Sequence, residues 1–149
     1  MLILLTRFNY FSDLKAAELV FLVDETDDSN FDLVIKLMYN IVRLFQPGSV
    51  KVTVVGFGTK QRIIFKGMRL PKVKTIQTKF VTFRPAANKK MYIGRALTYT
   101  KNQVMSKLPR NTPRILITIL QGSSDDGFQT PVNQLKGDGI KMLSIGRSC

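Results

Sequence analysis

The sequence predicts an α/β fold built on a doubly wound, mainly parallel sheet with one antiparallel edge strand. Two patterns along the 149 residues support this prediction. Short apolar runs alternate with segments of helical periodicity, and such alternation requires right-handed crossovers between parallel strands, with helices on both faces of the sheet. A tight turn between two neighbouring strands adds the antiparallel edge. A chain of this length can bury a full hydrophobic core in one domain.

Five strands are expected from short apolar runs, most of them rich in β-branched residues. They are Leu19–Val23, Val50–Phe57, Arg62–Phe65, Ile115–Leu120 and Ile140–Ile145. The first run is continuously apolar, which is typical of a strand that is covered on both faces, as in a parallel sheet. The second and third strands are joined by a tight turn at residues 58–61 and therefore form an antiparallel hairpin.

Three helices are expected from apolar residues that recur at helical spacing. They run from a cap at Ser29 or Asn30 to Phe45, from Tyr92 to Leu108, and from a cap at Thr130 to Gly137. Pro47 and Gly48 end the first helix, because proline cannot continue it and glycine can turn the chain. Pro131 suits the first position of the third helix. A short helix is also expected at Thr75–Phe80, whereas residues 1–17 have no clean period.

Composition excludes several kinds of chemistry. The chain has no histidine, which excludes His-based catalytic triads, His-bound zinc and imidazole acid–base catalysis. The single cysteine, Cys149, excludes an internal disulfide framework. The turn after the first strand contains no glycine, and the chain has no Gly-Lys-Ser/Thr loop and no Gly-x-Ser-x-Gly elbow, so the fingerprints of common α/β enzymes are missing. We therefore expect a protein that is not an enzyme.

Targeting signals are also missing from the sequence as given. The apolar run Met1–Leu5 has five residues, whereas a secretory signal needs roughly 7–15 and a membrane span about 20. The chain is therefore expected to have no membrane span. It is expected to be either cytoplasmic or a piece of a larger secreted protein.

From about residue 18 to the C-terminus, the chain contains several motifs that resemble those of the von Willebrand factor A domain family and occur in the same order. The loop Asp24-x-Thr26-x-Asp28 after the first strand resembles the family's Asp-x-Ser-x-Ser signature. The other matching segments are Asn30–Phe45 (first helix), Val50–Phe65 (second and third strands), Ile93–Thr100 (the Thr-Gly-x-Ala-Leu helix start), Pro113–Asp126 (the strand and loop with Thr-Asp-Gly-x-Ser) and Leu135–Gly146 (fifth strand). Within this family, the motifs most closely resemble those in the A domains of type VI collagen chains.

The resemblance implies a metal ion-dependent adhesion site at the carboxyl ends of the first and fourth strands, where ligands of open α/β sheets bind. Asp24, Thr26 and Asp28 match ligand positions of the family and are the expected remnant of the site. Ile93 stands where the family has threonine, and Gln121 stands where it has aspartate. Mg²⁺ takes oxygen ligands in near-octahedral geometry. We therefore expect a degenerate site, with no cofactor or only weak Mg²⁺ binding.

Two other interpretations of the acidic loop remain open. The acids of residues 24–28 can simply be a solvated strand end and helix start, where negative charge is favoured. Alternatively, Asp24 and Asp28 can form a non-standard cation site together with Asp125 or Asp126.

Basic residues are concentrated in one part of the chain, whose net charge is +13. Between Leu33 and Ser124 there is no Asp or Glu, yet this stretch holds 18 of the 23 basic residues. The densest part comprises Lys60, Arg62, Lys66, Arg69, Lys72, Lys74, Lys79, Arg84, Lys89 and Lys90. Without acidic neighbours, these cations are not expected to be neutralised by salt bridges, so their field should extend roughly 8–10 Å.

This basic stretch has two main interpretations: a solubilising face, or a patch that binds a heparin-like polyanion or an acidic protein surface. Nucleic acid is a weaker candidate, because the interleaved aromatic residues Phe80, Phe83 and Tyr92 match no RNA-binding motif.

The expected function is a protein-interaction module of extracellular matrix or cell adhesion, with matrix or cell-surface proteins as partners and an extracellular location implied by the resemblance. Residues 1–17 are expected to be an N-terminal extension and residues 18–149 the domain. The resemblance implies a further strand and helix after Gly146, so the domain is expected to be C-terminally truncated, unless residues 1–17 or a neighbour cover the exposed sheet edge. The alternatives are an intracellular scaffold domain of the same family and a non-standard cation-dependent adhesion domain.

Overall fold

A computed structural model describes residues 16–26, 30–46, 48–58, 60–69 and 90–146 of the chain. Its strands are β1 (Ala17–Asp24), β2 (Val50–Phe57), β3 (Gln61–Arg69), β4 (Arg114–Leu120) and β5 (Lys141–Gly146). Its helices are α1 (Phe31–Val42), α2 (Ile93–Gln103) and α3 (Gln129–Gly137), and a 3₁₀ turn at Met105–Lys107 follows α2. The short helix expected at Thr75–Phe80 and most of the N-terminal extension lie outside the described residues.

The five strands form one sheet in the order β3-β2-β1-β4-β5. β1 pairs in parallel with β2 and with β4, β4 pairs in parallel with β5, and β2 and β3 form an antiparallel hairpin. The predicted doubly wound sheet with one antiparallel edge is therefore confirmed. The strand order reverses between β1 and β4, and the carboxyl ends of these two strands meet at that point, where open α/β sheets bind ligands.

The core lies on both faces of the sheet because β1 is buried along its whole length. Successive side chains of a strand point to opposite faces. Accordingly, Leu19 and Phe21 pack with α1 on one face, and Val20 and Leu22 pack with α2 and α3 on the other. Each such side chain contributes roughly 1.5–3 kcal/mol by leaving water. The continuous apolar run of β1 predicted a strand covered on both faces, and the structure confirms this prediction.

The ends of the first two helices differ from the prediction. α1 ends at Val42, and the chain continues in tight turns in which the Phe45 N–H donates to the Val42 carbonyl, so that Phe45 remains buried. α2 ends at Gln103, because the chain then turns so that Val104 and Met105 are fully buried against the sheet. Both differences come from burial of the residues beyond the helix end.

The start of α3 was also predicted wrongly. α3 begins at Gln129, and Thr130 lies inside its first turn rather than capping it. The Val132 N–H donates to the Phe128 carbonyl, which closes the first turn earlier than the Thr130–Pro131 signal indicates. No helix in the described part of the chain is long and apolar enough to cross a membrane.

Candidate functional site

Asp24 lies at the carboxyl end of β1, and its side chain is wholly inaccessible to solvent. Its Oδ1 accepts hydrogen bonds from the Thr26 backbone N–H at 2.8 Å and from the Thr26 hydroxyl at 2.5 Å. Its Oδ2 accepts a hydrogen bond from the Gln121 backbone N–H at 2.8 Å. Both carboxylate oxygens are therefore hydrogen-bonded to groups of the protein itself.

Gln121 follows β4 directly and connects the two loops at the switch point. In addition to its backbone contact, its side-chain Nε2 donates to the backbone carbonyl of Asp24 at 3.2 Å. The main chain and the side chain of one residue thus hold the ends of β1 and β4 together. Of the residues predicted for this site, the structure brings together Asp24, Thr26 and Gln121, whereas Asp28 lies outside the described residues.

Ile93 is the first residue of α2, and its side chain is 6% exposed. It packs into the core between the sheet and the helices α2 and α3, together with Leu97 and Leu135. Its backbone N–H donates to the Ser124 Oγ at 3.2 Å. The residue therefore contributes an aliphatic side chain to the core and no side-chain oxygen to the carboxyl edge of the sheet.

Asp125 and Asp126 hold the start of α2. The carboxylate of Asp126 accepts hydrogen bonds from the backbone N–H groups of Gly94 and Arg95, each at 2.8 Å. Asp125 Oδ2 accepts a hydrogen bond from the Met91 N–H at 2.9 Å. The N-terminal N–H groups of a helix have no partner within the helix. Asp126 therefore supplies a capping interaction that Tyr92, which precedes α2, does not provide.

The electrostatics of Asp126 follow from these contacts. Partial burial opposes ionisation, but the hydrogen bonds from the Gly94 N–H, the Ser124 hydroxyl and the Arg95 N–H outweigh it. The charge of Arg95 acts in the same direction, and the pKa of Asp126 falls below its ordinary value. The described residues contain no group of three or more Asp, Glu or Cys side chains placed to hold a metal ion.

Glu25 is a buried acid that sequence reasoning missed. Its carboxylate receives the Arg62 guanidinium, with the Arg62 Nη2 2.6 Å from Oε1 and the Arg62 Nε 3.4 Å from Oε2. A Cβ atom on Gly56 would lie 2.4 Å from the Glu25 Cδ, so the absence of a side chain on β2 makes room for the carboxylate. The glycine inside an apolar strand is the sequence signal that a group approaches closely there.

The expectation that the basic stretch lacks salt bridges is wrong for two residues. Arg62 pairs with Glu25, and the Lys51 Nζ lies 3.7 Å from the Glu18 Oε1. Both acids come from β1 or the residue after it, so the sheet brings together groups that are far apart in sequence. The other described members of the predicted patch, Lys60, Lys66, Arg69 and Lys90, are exposed. Lys72, Lys74, Lys79, Arg84 and Lys89 lie outside the described residues.

The family model of the von Willebrand factor type A domain matches residues 18–148. The chain therefore belongs to the von Willebrand factor type A domain family, as the order of its motifs predicted. It is similar to the collagen alpha-1(VI) chain of Homo sapiens, with 28% identity over 146 residues that cover 87% of this chain. The chain spans 14% of the length of that relative.

Solved structures share the fold. Proximal thread matrix protein 1 from the mussel byssus matches 88% of this chain and 36% of its own chain, with a TM-score of 0.76 and 18% identity. Another structure of that mussel protein, with a zinc-occupied MIDAS motif, also has a TM-score of 0.76 at 18% identity over 89% of this chain and 36% of that one. The manganese-loaded TRAP protein of Plasmodium vivax matches 89% of this chain and 57% of its own, with a TM-score of 0.69 and 15% identity. At these identities the likeness concerns the fold.

Proposed function

We propose that this A domain is a non-enzymatic interaction module of extracellular matrix or cell adhesion, and that hydrogen bonds within the protein, rather than a divalent cation, close its adhesion site. The observation that carries this proposal is the carboxylate of Asp24, which accepts three hydrogen bonds from Thr26 and Gln121. Asp24, Thr26 and Asp28 are the remnant of the metal site. Ile93 and Gln121 occupy the positions of two missing ligands.

The chemistry of the available donors does not fit a divalent ion. Mg²⁺ prefers carboxylate and other oxygen ligands in near-octahedral geometry. At the described edge an ion would meet the carboxylate of Asp24, whose Oδ1 already accepts two hydrogen bonds, together with the neutral groups of Thr26 and Gln121. The aliphatic side chain of Ile93 offers no ligand. Breaking the internal hydrogen bonds would cost free energy that one carboxylate does not recover.

The relatives support an extracellular matrix setting for this module. One of them is a collagen chain and another is a thread matrix protein. On this basis we propose matrix or cell-surface proteins as partners. Recognition would then depend on surface shape and charge, because no metal ion would bridge the domain to an acid of the partner.

Positive charge is the second part of the proposal. Lys60, Lys66 and Arg69 are exposed on or beside the edge strand β3, and Arg62 retains a half-exposed side chain although it pairs with Glu25. Residues 70–90 of the sequence add five lysines and one arginine. A cluster of one sign attracts polyanions at long range and is screened by salt. We propose that this surface binds glycosaminoglycans or acidic protein surfaces.

Restoring the missing ligands tests the metal part of the proposal. The double substitution Ile93→Thr, Gln121→Asp should create Mg²⁺ and Mn²⁺ binding, with affinity at least tenfold higher than in the unchanged protein, a gain of about 1.4 kcal/mol or more. Titration calorimetry measures it, and Ile93→Thr, Gln121→Asn is the matched control because it supplies no carboxylate. Submillimolar binding by the unchanged protein, or no gain in the double variant, would count against the assignment.

Heparin affinity tests the basic surface. The protein should remain on heparin-agarose above physiological salt, about 0.15 M. The variant Lys60→Gln, Lys66→Gln should elute at lower salt than Lys107→Gln, Lys136→Gln, which removes the same charge from exposed lysines elsewhere. Loss of retention below physiological salt, or equal elution of the two variants, would reject a local binding patch.

A further inference from the structure

A cavity of about 520 Å³ that the proposed function does not use lies beside α2. Most of its walls are polar and come from β3, α2, α3 and the loop after β4. The residues that matter below are Gln61 at the start of β3, Arg95, Thr98 and Asn102 on α2, Asp126 in the loop and Pro131 on α3. Neither Asp24 nor Gln121 lines the cavity, so it is distinct from the closed edge between β1 and β4.

Arg95 supplies an exposed cation to this cavity. Its guanidinium lies over the ring of Tyr92, with the Cζ 4.6 Å from the ring centroid. The face of an aromatic ring attracts a cation, and this contact favours one orientation of the arginine side chain. Within the described residues Arg95 forms no salt bridge, in contrast to Arg62. The guanidinium is therefore held in place without a direct ionic partner in that part of the chain.

Asp126 is the acid of the cavity lining, and its oxygens are already used. Its carboxylate accepts hydrogen bonds from the backbone N–H groups of Gly94 and Arg95 and from the hydroxyl of Ser124. Its charge acts on the Arg95 guanidinium only from beyond salt-bridge distance. Asp126 thus holds the start of α2 and leaves the guanidinium edge to a carboxylate from another molecule.

Neutral amide groups accompany the guanidinium. The Gln61 Nε2 is buried and has no hydrogen-bond partner within the described part of the chain, which is unfavourable for a donor. The last torsion angle of a glutamine side chain has a broad energy minimum, so this amide can turn toward a ligand at little cost. Asn102 adds an exposed amide on α2. Amide side chains both donate and accept, as the backbone of a peptide does.

We propose that this cavity binds the carboxylate of an acidic side chain from a protein partner, and that Arg95 pairs with it. The inference rests on the proposed function, because the domain then engages an acid of its partner through a guanidinium instead of a divalent cation. Arginine forms two parallel hydrogen bonds with a carboxylate, and arginines in pockets often dominate binding. Lys60, an exposed residue of the basic surface, directly precedes Gln61. The field that attracts acidic partners therefore acts beside the cavity.

A sulfated polysaccharide is the rival occupant. Such a polymer carries many charges along its length and needs a row of cations, which the exposed residues Lys66 and Arg69 of β3 offer. The lining of the cavity instead places one cation, Arg95, near the negative charge of Asp126. Asp126 repels every further anion that enters. A single carboxylate with neutral neighbours therefore matches the cavity better than several sulfates.

Titration of the full chain with two blocked pentapeptides tests the preference for a carboxylate. The probes are acetyl-Gly-Gly-Glu-Gly-Gly-amide and the same peptide with Gln in place of Glu, in about 0.15 M salt. The Glu peptide should shift the NMR signals of the Arg95 Nε–H and of the Thr98 and Asn102 amides until saturation. Its affinity should exceed that of the Gln peptide by about tenfold or more. Equal affinities, or no saturable shift with either peptide, would overturn the proposal.

Substitutions at Arg95 separate a specific pair from general attraction by charge. Arg95→Gln should weaken binding of the Glu peptide by about tenfold or more. Arg95→Lys keeps the charge but lacks the planar fork, and should weaken binding by about threefold or more. Arg110→Gln removes an exposed arginine from the loop before β4 and should leave the affinity unchanged. Equal effects of Arg95→Gln and Arg110→Gln, or unchanged binding by Arg95→Lys, would contradict the pair.

Filling the cavity tests its role without changing its charge. Thr98→Tyr should abolish binding of the Glu peptide, whereas Asn111→Tyr, at an exposed position before β4, should not. Equal binding by these two variants would exclude the cavity as the site.

Heparin-agarose separates this inference from the proposed function. Arg95→Gln should elute at the same salt concentration as Arg110→Gln. If the Glu peptide does not bind while the Lys60→Gln, Lys66→Gln variant still elutes early, this inference fails and the basic surface stands. Earlier elution of Arg95→Gln than of Arg110→Gln, without binding of the Glu peptide, would assign the cavity to sulfate and overturn the proposal.

Discussion

At the scale of single residues, Gln121 carries an amide where the family has a carboxylate. This amide changes the interactions that hold the carboxyl ends of β1 and β4 together. Gln121 donates to Asp24 through its backbone N–H and through its side-chain Nε2. An aspartate at position 121 would instead place a second negative charge near the first, which is unfavourable in the absence of a cation. On the proposed function, Gln121 therefore replaces a metal-mediated contact between the two strand ends with hydrogen bonds.

Asp126 offers a prediction on pH. An aspartate whose folded pKa is lowered stabilises the fold fully above its unfolded pKa of about 3.9, and this contribution is lost as pH falls through the folded pKa. Asp126→Asn removes the charge and one of the two acceptor oxygens and should therefore destabilise the protein by about 1 kcal/mol at pH 7, the typical contribution of one hydrogen bond. Urea unfolding at several pH values should show the difference shrinking below pH 4. Asp32→Asn, an exposed aspartate in the first turn of α1, is the control, and a difference independent of pH would contradict the assignment.

The sequence predicts part of the site, and the reason is geometric. Asp24 and Gln121 directly end the two parallel strands that meet at the switch point, so their proximity follows from the fold. The contact of Glu25 with Arg62 spans 37 positions and depends on the hairpin bringing β3 beside the first loop. The capping of α2 by Asp126 depends on the path of the loop after β4. The glycine in β2 signals that a group approaches there but does not identify Glu25 or Arg62, and the capping by Asp126 has no local sequence pattern.

At the scale of elements, the Glu25–Arg62 pair joins the loop after β1 to the edge strand β3. Arg62→Ala would leave the buried carboxylate of Glu25 without its guanidinium partner. A hydrogen bond to a charged group contributes about 1.5–3 kcal/mol, and the half-exposed arginine places the expected loss at the lower end. Arg69→Ala, which removes an exposed arginine bonded to the Gly48 carbonyl, should change stability by about 0.5 kcal/mol or less. Denaturant unfolding measures both, and equal losses would contradict a specific role for the pair.

The strands were predicted with mixed accuracy, because the third strand, expected at Arg62–Phe65, runs from Gln61 to Arg69 as β3. The expected bounds of Val50–Phe57 agree with β2, because its run of apolar β-branched residues ends at the glycine-containing turn. The helix ends are governed by tertiary burial: Phe45, Val104 and Met105 continue the helical pattern of apolar residues but are buried by turns instead. A periodic pattern reports which residues are buried and does not distinguish a helix from the turn that follows it.

At the scale of the whole molecule, the domain combines an excess of positive charge with a carboxyl edge that the protein's own hydrogen bonds close. Two described basic residues, Lys51 and Arg62, are paired with acids of β1 or its following loop, whereas Lys60 and Lys66 form no salt bridge within the described part of the chain. The whole sequence carries a net charge of +13. On the proposed function, this excess of positive charge attracts acidic surfaces at long range and is screened by salt.

The most direct test of the closed carboxyl edge is an NMR titration with Mn²⁺, whose unpaired electrons broaden the signals of nearby amides. The amide signals of Thr26 and Gln121, which donate to Asp24, should keep their intensity at substoichiometric Mn²⁺, and any weak broadening should follow the surface acids in general. Selective loss of these two signals at a fraction of an equivalent, reversed by a chelator, would show an ion bound at the switch point and contradict the account.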